Sequence, residues 1–123
     1  MPDRLAIGSG KSTSTAIEVS KFVVSNYGDA TPTVIWQMPF NRRIVRITIE
    51  TKIVWNGAGA SVILGTASIP DKYFQVTDLD LTSLEYFDKE FSEAGPIDFQ
   101  LTIVPGIAAT SGQINIIFET ISI

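Results

Sequence analysis

Two short stretches carry residue types able to do chemistry. Gly8-Ser9-Gly10-Lys11-Ser12-Thr13 ends like a phosphate-binding loop, and Asp78, Asp80 and Thr82 would set three oxygen ligands on one face of an extended chain. The first lacks its context. A phosphate loop needs a glycine five residues before Gly10, where Leu5 stands, and a helix after it whose first N–H groups hold the anion. Residues 15–24 are β-branched rather than helical in character, so the string reads as the composition of a serine- and glycine-rich segment. The second stretch lacks the glycine-imposed bend and the spaced bidentate glutamate of a calcium loop. The simpler expectation is that Leu79 and Leu81 pack inward while the two aspartates stay wet.

The chain contains no cysteine and no histidine among its 123 residues. Disulfides, iron–sulfur clusters and thiolate zinc sites are thereby excluded, and so are histidine-dependent triads and zinc hydrolases. A hydrolase built on paired carboxylates such as Asp78 and Asp80 needs them facing one another across a cleft, and no spacing in the chain requires that. We expect no enzymatic activity and no cofactor. The net charge of −4 argues against nucleic-acid binding, which needs a clustered basic surface.

The distribution of charge is more informative than its sum. Up to Trp55 the chain carries Arg4, Lys11, Lys21, Arg42, Arg43, Arg46 and Lys52 against Asp3, Glu18, Asp29 and Glu50; beyond it only Lys72 and Lys89 oppose the remaining nine carboxylates. Two readings follow. The halves interleave in a β fold and the charges cancel locally, or each subunit presents one basic and one acidic surface that mate head to tail. Local cancellation is the default.

The elements that must position these residues read as strands. Val45, Ile47, Ile49, Thr51, Ile53 and Trp55 alternate with Arg46, Thr48, Glu50 and Lys52, the period of a half-buried strand. Asn56-Gly57 follows, the dipeptide that favours a primed hairpin turn, and residues 60–64 resume the apolar pattern, so a β-hairpin is expected over 44–65. Ile17, Val19 and Val23 share one face of an earlier strand whose other, mixed face carries Glu18, Ser20, Phe22 and Val24 and is expected to point outward. Further strands are expected around Val34-Ile35-Trp36, at 97–103 and at 113–123; the last is apolar on both faces, which places it mid-sandwich or at a subunit contact. Residues 84–94 fit either a short helix or a strand with a loop.

Seven or eight strands, closely spaced turn signals and no convincing long helix make this an all-β chain, an antiparallel β-sandwich of jelly-roll-like character. The expected organisation is a flexible N-terminal arm over 1–14 and a single sandwich domain over 15–123. No basic n-region with an apolar core opens the chain, so no signal peptide is expected and synthesis is cytoplasmic. No apolar run approaches the roughly 20 residues that span a bilayer, so no membrane partner is expected.

The order of pieces also resembles a family. The run Ile47-Thr48-Ile49-Glu50-Thr51-Lys52-Ile53-Val54-Trp55-Asn56-Gly57, then Ser61-Val62-Ile63-Leu64-Gly65-Thr66-Ala67, then Pro70-Asp71-Lys72-Tyr73-Phe74, then Asp78-Leu79-Asp80-Leu81-Thr82, and finally Thr110-Ser111-Gly112-Gln113-Ile114-Asn115-Ile116 are similar to small β-sandwich modules of tailed-bacteriophage virion proteins. Such modules occur in head decoration (cement) proteins, head fibres and tail fibres. The likeness runs from about residue 44 to the C-terminus. It implies a virion location, a homotrimer, and partners such as the major capsid protein or other virion proteins; a fibre module binding a host receptor or carbohydrate is the alternative. The candidate interface residues are Arg42, Arg43 and Arg46 for charged register, with Tyr73, Phe74, Ile117, Ile121 and Ile123 for apolar burial. On the fibre reading, Tyr73, Phe74, Tyr86 and Trp36 would stack on sugar rings, although aromatic side chains more often serve as core.

Overall fold

The computed structural model describes residues 16–25, 32–57, 59–104 and 109–123. The arm expected over 1–14 and the loop-like string at 8–13 lie outside the described residues. Among those described there is no helix. Seven strands follow one another: β1 (Ile17–Val24), β2 (Thr33–Met38), β3 (Arg42–Ile53), β4 (Ser61–Gly65), β5 (Tyr86–Ala94), β6 (Ile97–Val104) and β7 (Gln113–Ser122). The segment open to helix or strand is therefore strand β5.

Odd-numbered strands form a four-stranded sheet in the order β1-β7-β3-β5, and even-numbered strands form a three-stranded sheet in the order β2-β6-β4. Every pairing is antiparallel. The two sheets face each other as a β-sandwich, and every link between successive strands crosses from one sheet to the other.

That winding overturns the expected hairpin. β3 and β4 lie in different sheets, because both edges of β3 are already taken, by β7 on one side and β5 on the other. Asn56 does not sit in a two-residue turn. Its side chain bridges to the loop before β7, accepting from the Thr110 N–H at 2.8 Å and donating to Thr110 Oγ1 at 2.8 Å, while the Trp55 N–H donates to Leu81 O at 2.8 Å.

The core is filled from both inner faces. β3 contributes Ile44, Ile47 and Ile49, β7 contributes Ile114, Ile116 and Phe118, and the opposing sheet contributes Met38, Val62, Leu64, Phe99 and Leu101, all buried. Phe118 sits 4.6 Å from Phe99 and 5.0 Å from Trp36, ring centre to ring centre, and so ties the sheets together. Burying side chains of this size contributes about 1.5–3 kcal/mol each. β7 is apolar on both sides because its inner face meets this core and its outer face is a separate apolar surface.

Two strand faces differ from expectation. On β1 the inner face is the one bearing Phe22 and Val24, and the all-β-branched face is exposed, with Ile17 at 58%, Val19 at 63% and Val23 at 56%. The large Phe22 ring decides this by packing against Trp36 and Phe118. Against β7, a bulge between Ile44 and Arg46 inserts one extra residue into β3. A single extra residue reverses the alternation, so Arg42 and Ile44 join Ile47 and Ile49 inside, while Val45 is only half-buried.

Candidate interaction surface

The outer face of the four-stranded sheet is built from four cross-strand rows. Ile17, Ile121, Arg43 and Ala94 form the first; Val19, Glu119, Arg46 and Glu90 the second; Lys21, Ile117, Thr48 and Asp88 the third; Val23, Asn115, Glu50 and Tyr86 the fourth. The face thus divides along its length. The β1–β7 half is mainly aliphatic, and the β3–β5 half is charged.

In the charged half, Arg46 splits its guanidinium between Asp88 Oδ2 at 3.2 Å and Glu90 Oε2 at 3.3 Å, and Arg43 donates weakly to the Ser92 carbonyl at 3.4 Å. Partly exposed pairs of this kind contribute at most about 1 kcal/mol. Elsewhere Lys72 pairs with Glu93 at 2.8 Å and Lys89 with Asp78 at 2.6 Å. Of these clusters only Arg46 with Asp88 and Glu90 joins a cation of the first half of the chain to carboxylates of the second; the Lys72 and Lys89 pairs lie within the second half.

Three candidate interface residues lie inside the molecule. Arg42, carried inward by the bulge, is 8% exposed. It donates to Thr120 Oγ1, to the Thr120 carbonyl at 3.0 Å and to Ser122 Oγ at 3.1 Å, and it pairs with Glu18 at 3.3 Å, closing one end of the sandwich. Tyr73 and Phe74 are core residues at 2% and 0% exposure. They are pulled in because residues 73–74 bind the free edge of β4, with the Tyr73 N–H donating to Leu64 O at 2.8 Å and the Leu64 N–H to Phe74 O at 3.1 Å. Their rings then meet Phe91, Phe99 and Phe87 edge-on or tilted. Of the aromatics considered for sugar stacking, Trp36 is also packed into the core, and Tyr86 is exposed.

The remaining candidates, Arg43, Arg46, Ile117 and Ile121, share the outer face, and Ile123 is exposed just beyond the end of β7. Ile17, Val19, Lys21 and Val23 join them and were not anticipated. The signal was present in the sequence: a strand with bulky apolar residues on both faces must leave one face without a core.

The acidic stretch is committed to its own turns. Asp78 Oδ2 accepts from the Gln75 N–H at 2.8 Å and from Lys89, whose ammonium also lies 5.1 Å from the Phe74 ring centre. Burial alone would raise the Asp78 carboxyl; the Gln75 N–H and the Lys89 ammonium together hold it below its ordinary value. Asp80 accepts from the Thr82 hydroxyl and N–H, and these hold it low as well. Among the described residues no group of three acidic side chains converges. An open cleft of about 510 Å³ runs beside Lys72, Glu93 and Asp98. There Glu93 accepts from Lys72 and from the Tyr73 hydroxyl. The contacts push its carboxyl down, while burial and Glu93 push the Tyr73 phenol up.

Comparison with known proteins gives a likeness of fold. No family model matches the chain, and no curated protein matches it. Solved structures do. A chain of the cyanophage Pam1 capsid asymmetric unit aligns with a TM-score of 0.70 at 18% identity, over 98% of this chain and 94% of that one. A chain of the acid-stable capsid of the Helicobacter pylori bacteriophage KHP30 aligns at 0.56 and 8% identity, over 85% and 92%. A Bacillus endospore appendage protein aligns at 0.48 and 13% identity, over 94% and 97%, and carries no weight here. At such identities what is shared is the β-sandwich.

Proposed function

We propose that this chain is a non-enzymatic structural protein of a tailed-bacteriophage virion, a capsid-decorating (cement) protein that acts as a homotrimer and bridges shell subunits. The observation that carries the reading is the near end-to-end fold match to a chain of a phage capsid asymmetric unit. The winding supports it too. Strands alternate between two sheets and residues 73–74 bridge the outer edge of β4, an arrangement that supports the jelly-roll-like reading. Asp78 and Asp80, the carboxylates best placed in sequence for hydrolysis, are engaged in turns, which favours a structural role over a catalytic one.

A fibre module that binds a receptor or surface carbohydrate is the second reading. It is favoured by Tyr86 and Leu84, exposed at 63% and 72% beside Glu50 and Lys52 in a shallow hollow. Co-sedimentation of the purified chain with undecorated phage shells separates the two. Saturable binding to shells, with light scattering reporting three copies per particle in solution, is the expected result. Binding to host envelopes and not to shells would transfer the assignment to the fibre.

A further inference from the structure

We propose that the aliphatic half of the outer sheet face, formed by β1 and β7, is the docking surface for a second copy of this chain, with Lys21 of one copy set against Glu119 of another. The inference deepens the oligomeric part of the reading above and rests on it.

Three features meet at this place. The first is apolar exposure: Ile17, Val19 and Val23 are each more than half exposed, and Ile117 and Ile121 beside them are half-buried. Such a contiguous patch marks an interaction site when a protein is otherwise well packed. The second is an open strand edge. Among the described residues β1 pairs only with β7, and it carries neither a bulge nor a proline, two of the devices that discourage edge pairing, with Glu18 and Lys21 its only charges. β5, the opposite edge of the same sheet, is lined by Asp88, Lys89, Glu90 and Glu93 and is interrupted by the bulge facing β3.

The third feature chooses the occupant. Within the patch stand one cation, Lys21, opposite Ile117, and one anion, Glu119, opposite Val19. They are diagonal neighbours on adjacent strands, yet no ion pair joins them, and neither has an ion-pair partner among the described residues. An apolar surface that carries one charge of each sign is complementary to itself. Further copies of the chain therefore supply both missing partners, one copy in a two-fold contact or its two neighbours in a three-fold ring, whereas a partner of different sequence would have to carry the matching pair independently. A two-fold contact makes the Lys21–Glu119 pair twice, and a three-fold ring makes it once per interface.

The test uses the full chain with charge reversal. Lys21→Glu and Glu119→Lys each place like charges across the contact. Each is expected to weaken self-association by about tenfold or more, and the double variant, which restores opposite signs, is expected to return to within a few-fold of the wild type. Val19→Asp should dissociate the assembly while leaving the circular dichroism spectrum that of the folded chain, since its side chain is mostly exposed, and its melting temperature should fall only to that of the wild type diluted below its association range. Mass is read by size-exclusion chromatography with light scattering. A wild-type monomer, single reversals of unchanged mass, or a double variant that stays dissociated each overturns the proposal. So does a set of variants that keep their mass but no longer co-sediment with shells, because the face would then receive a shell protein. A chain that assembles through this face and ignores shells upholds the surface and removes the decoration role instead.

Discussion

At Gly112 the backbone enters β7 with φ of +145°, and a Cβ there would lie 2.4 Å from the Trp55 ring. Strain in that region and overpacking against a fully buried indole act together, so Gly112→Ala should cost about 3 kcal/mol. In a domain of this size that is a fall of roughly 10 °C in melting temperature, measurable by calorimetry; an unchanged melt would mean the Trp55 contact is slack. Nothing near Gly112 in the sequence marks that contact, because Trp55 is distant along the chain. Arg42 teaches the same lesson. Its type and its place beside Arg43 made it a surface candidate, and only the extra residue of the β3 bulge turns it inward to Thr120 and Glu18. The pairings of Arg46 with Asp88 and Glu90, by contrast, follow from outward positions that alternation alone predicted for Arg46.

At the scale of elements, β3 and β7 hold the molecule together. They pair with each other over nearly their full lengths, and each has a further strand on its other side. Their amides should exchange with solvent most slowly, while those of β2 and β5, each an edge strand, should exchange faster. Hydrogen-exchange mass spectrometry checks this, and protection of β2 or β5 equal to that of β7 would contradict it. The existence of most strands was legible in the sequence, since alternation and turn residues are local signals. The hairpin was not. Asn56-Gly57 carries a strong local preference, but the edges of β3 were claimed by β5 and β7 from much later in the chain, and β4 paired with β6 instead. The orientation of β1 was misread for a related reason: three β-branched residues suggest a core face, yet one Phe22 ring set between Trp36 and Phe118 outweighs them.

For the whole molecule, stability should depend on pH at both ends. Asp78 and Glu93 are held below their ordinary values of 3.8 and 4.5 in the folded chain. The unfolded chain therefore binds protons first as pH falls, and the stabilisation present above that range is lost on acidification. Tyr73 is pushed above its ordinary 10.0, so the unfolded phenol ionises first and stability declines as pH rises past that value. The urea midpoint should be flat between about pH 5 and pH 9 and fall on either side. Asp78→Asn should make the acid limb shallower, with Glu93 still contributing, and Tyr73→Phe should flatten the alkaline limb; limbs that keep their slope in these variants would assign the dependence to other groups. By itself the sequence determined that this is a strand-built chain without thiol or imidazole chemistry, with too many apolar faces for one core. Tertiary structure decided which strands share a sheet and which apolar face is left outside. Backbone edges are chemically alike along every strand, so the choice among them is made by the fit of whole inner faces, ring against ring, between residues far apart in the chain.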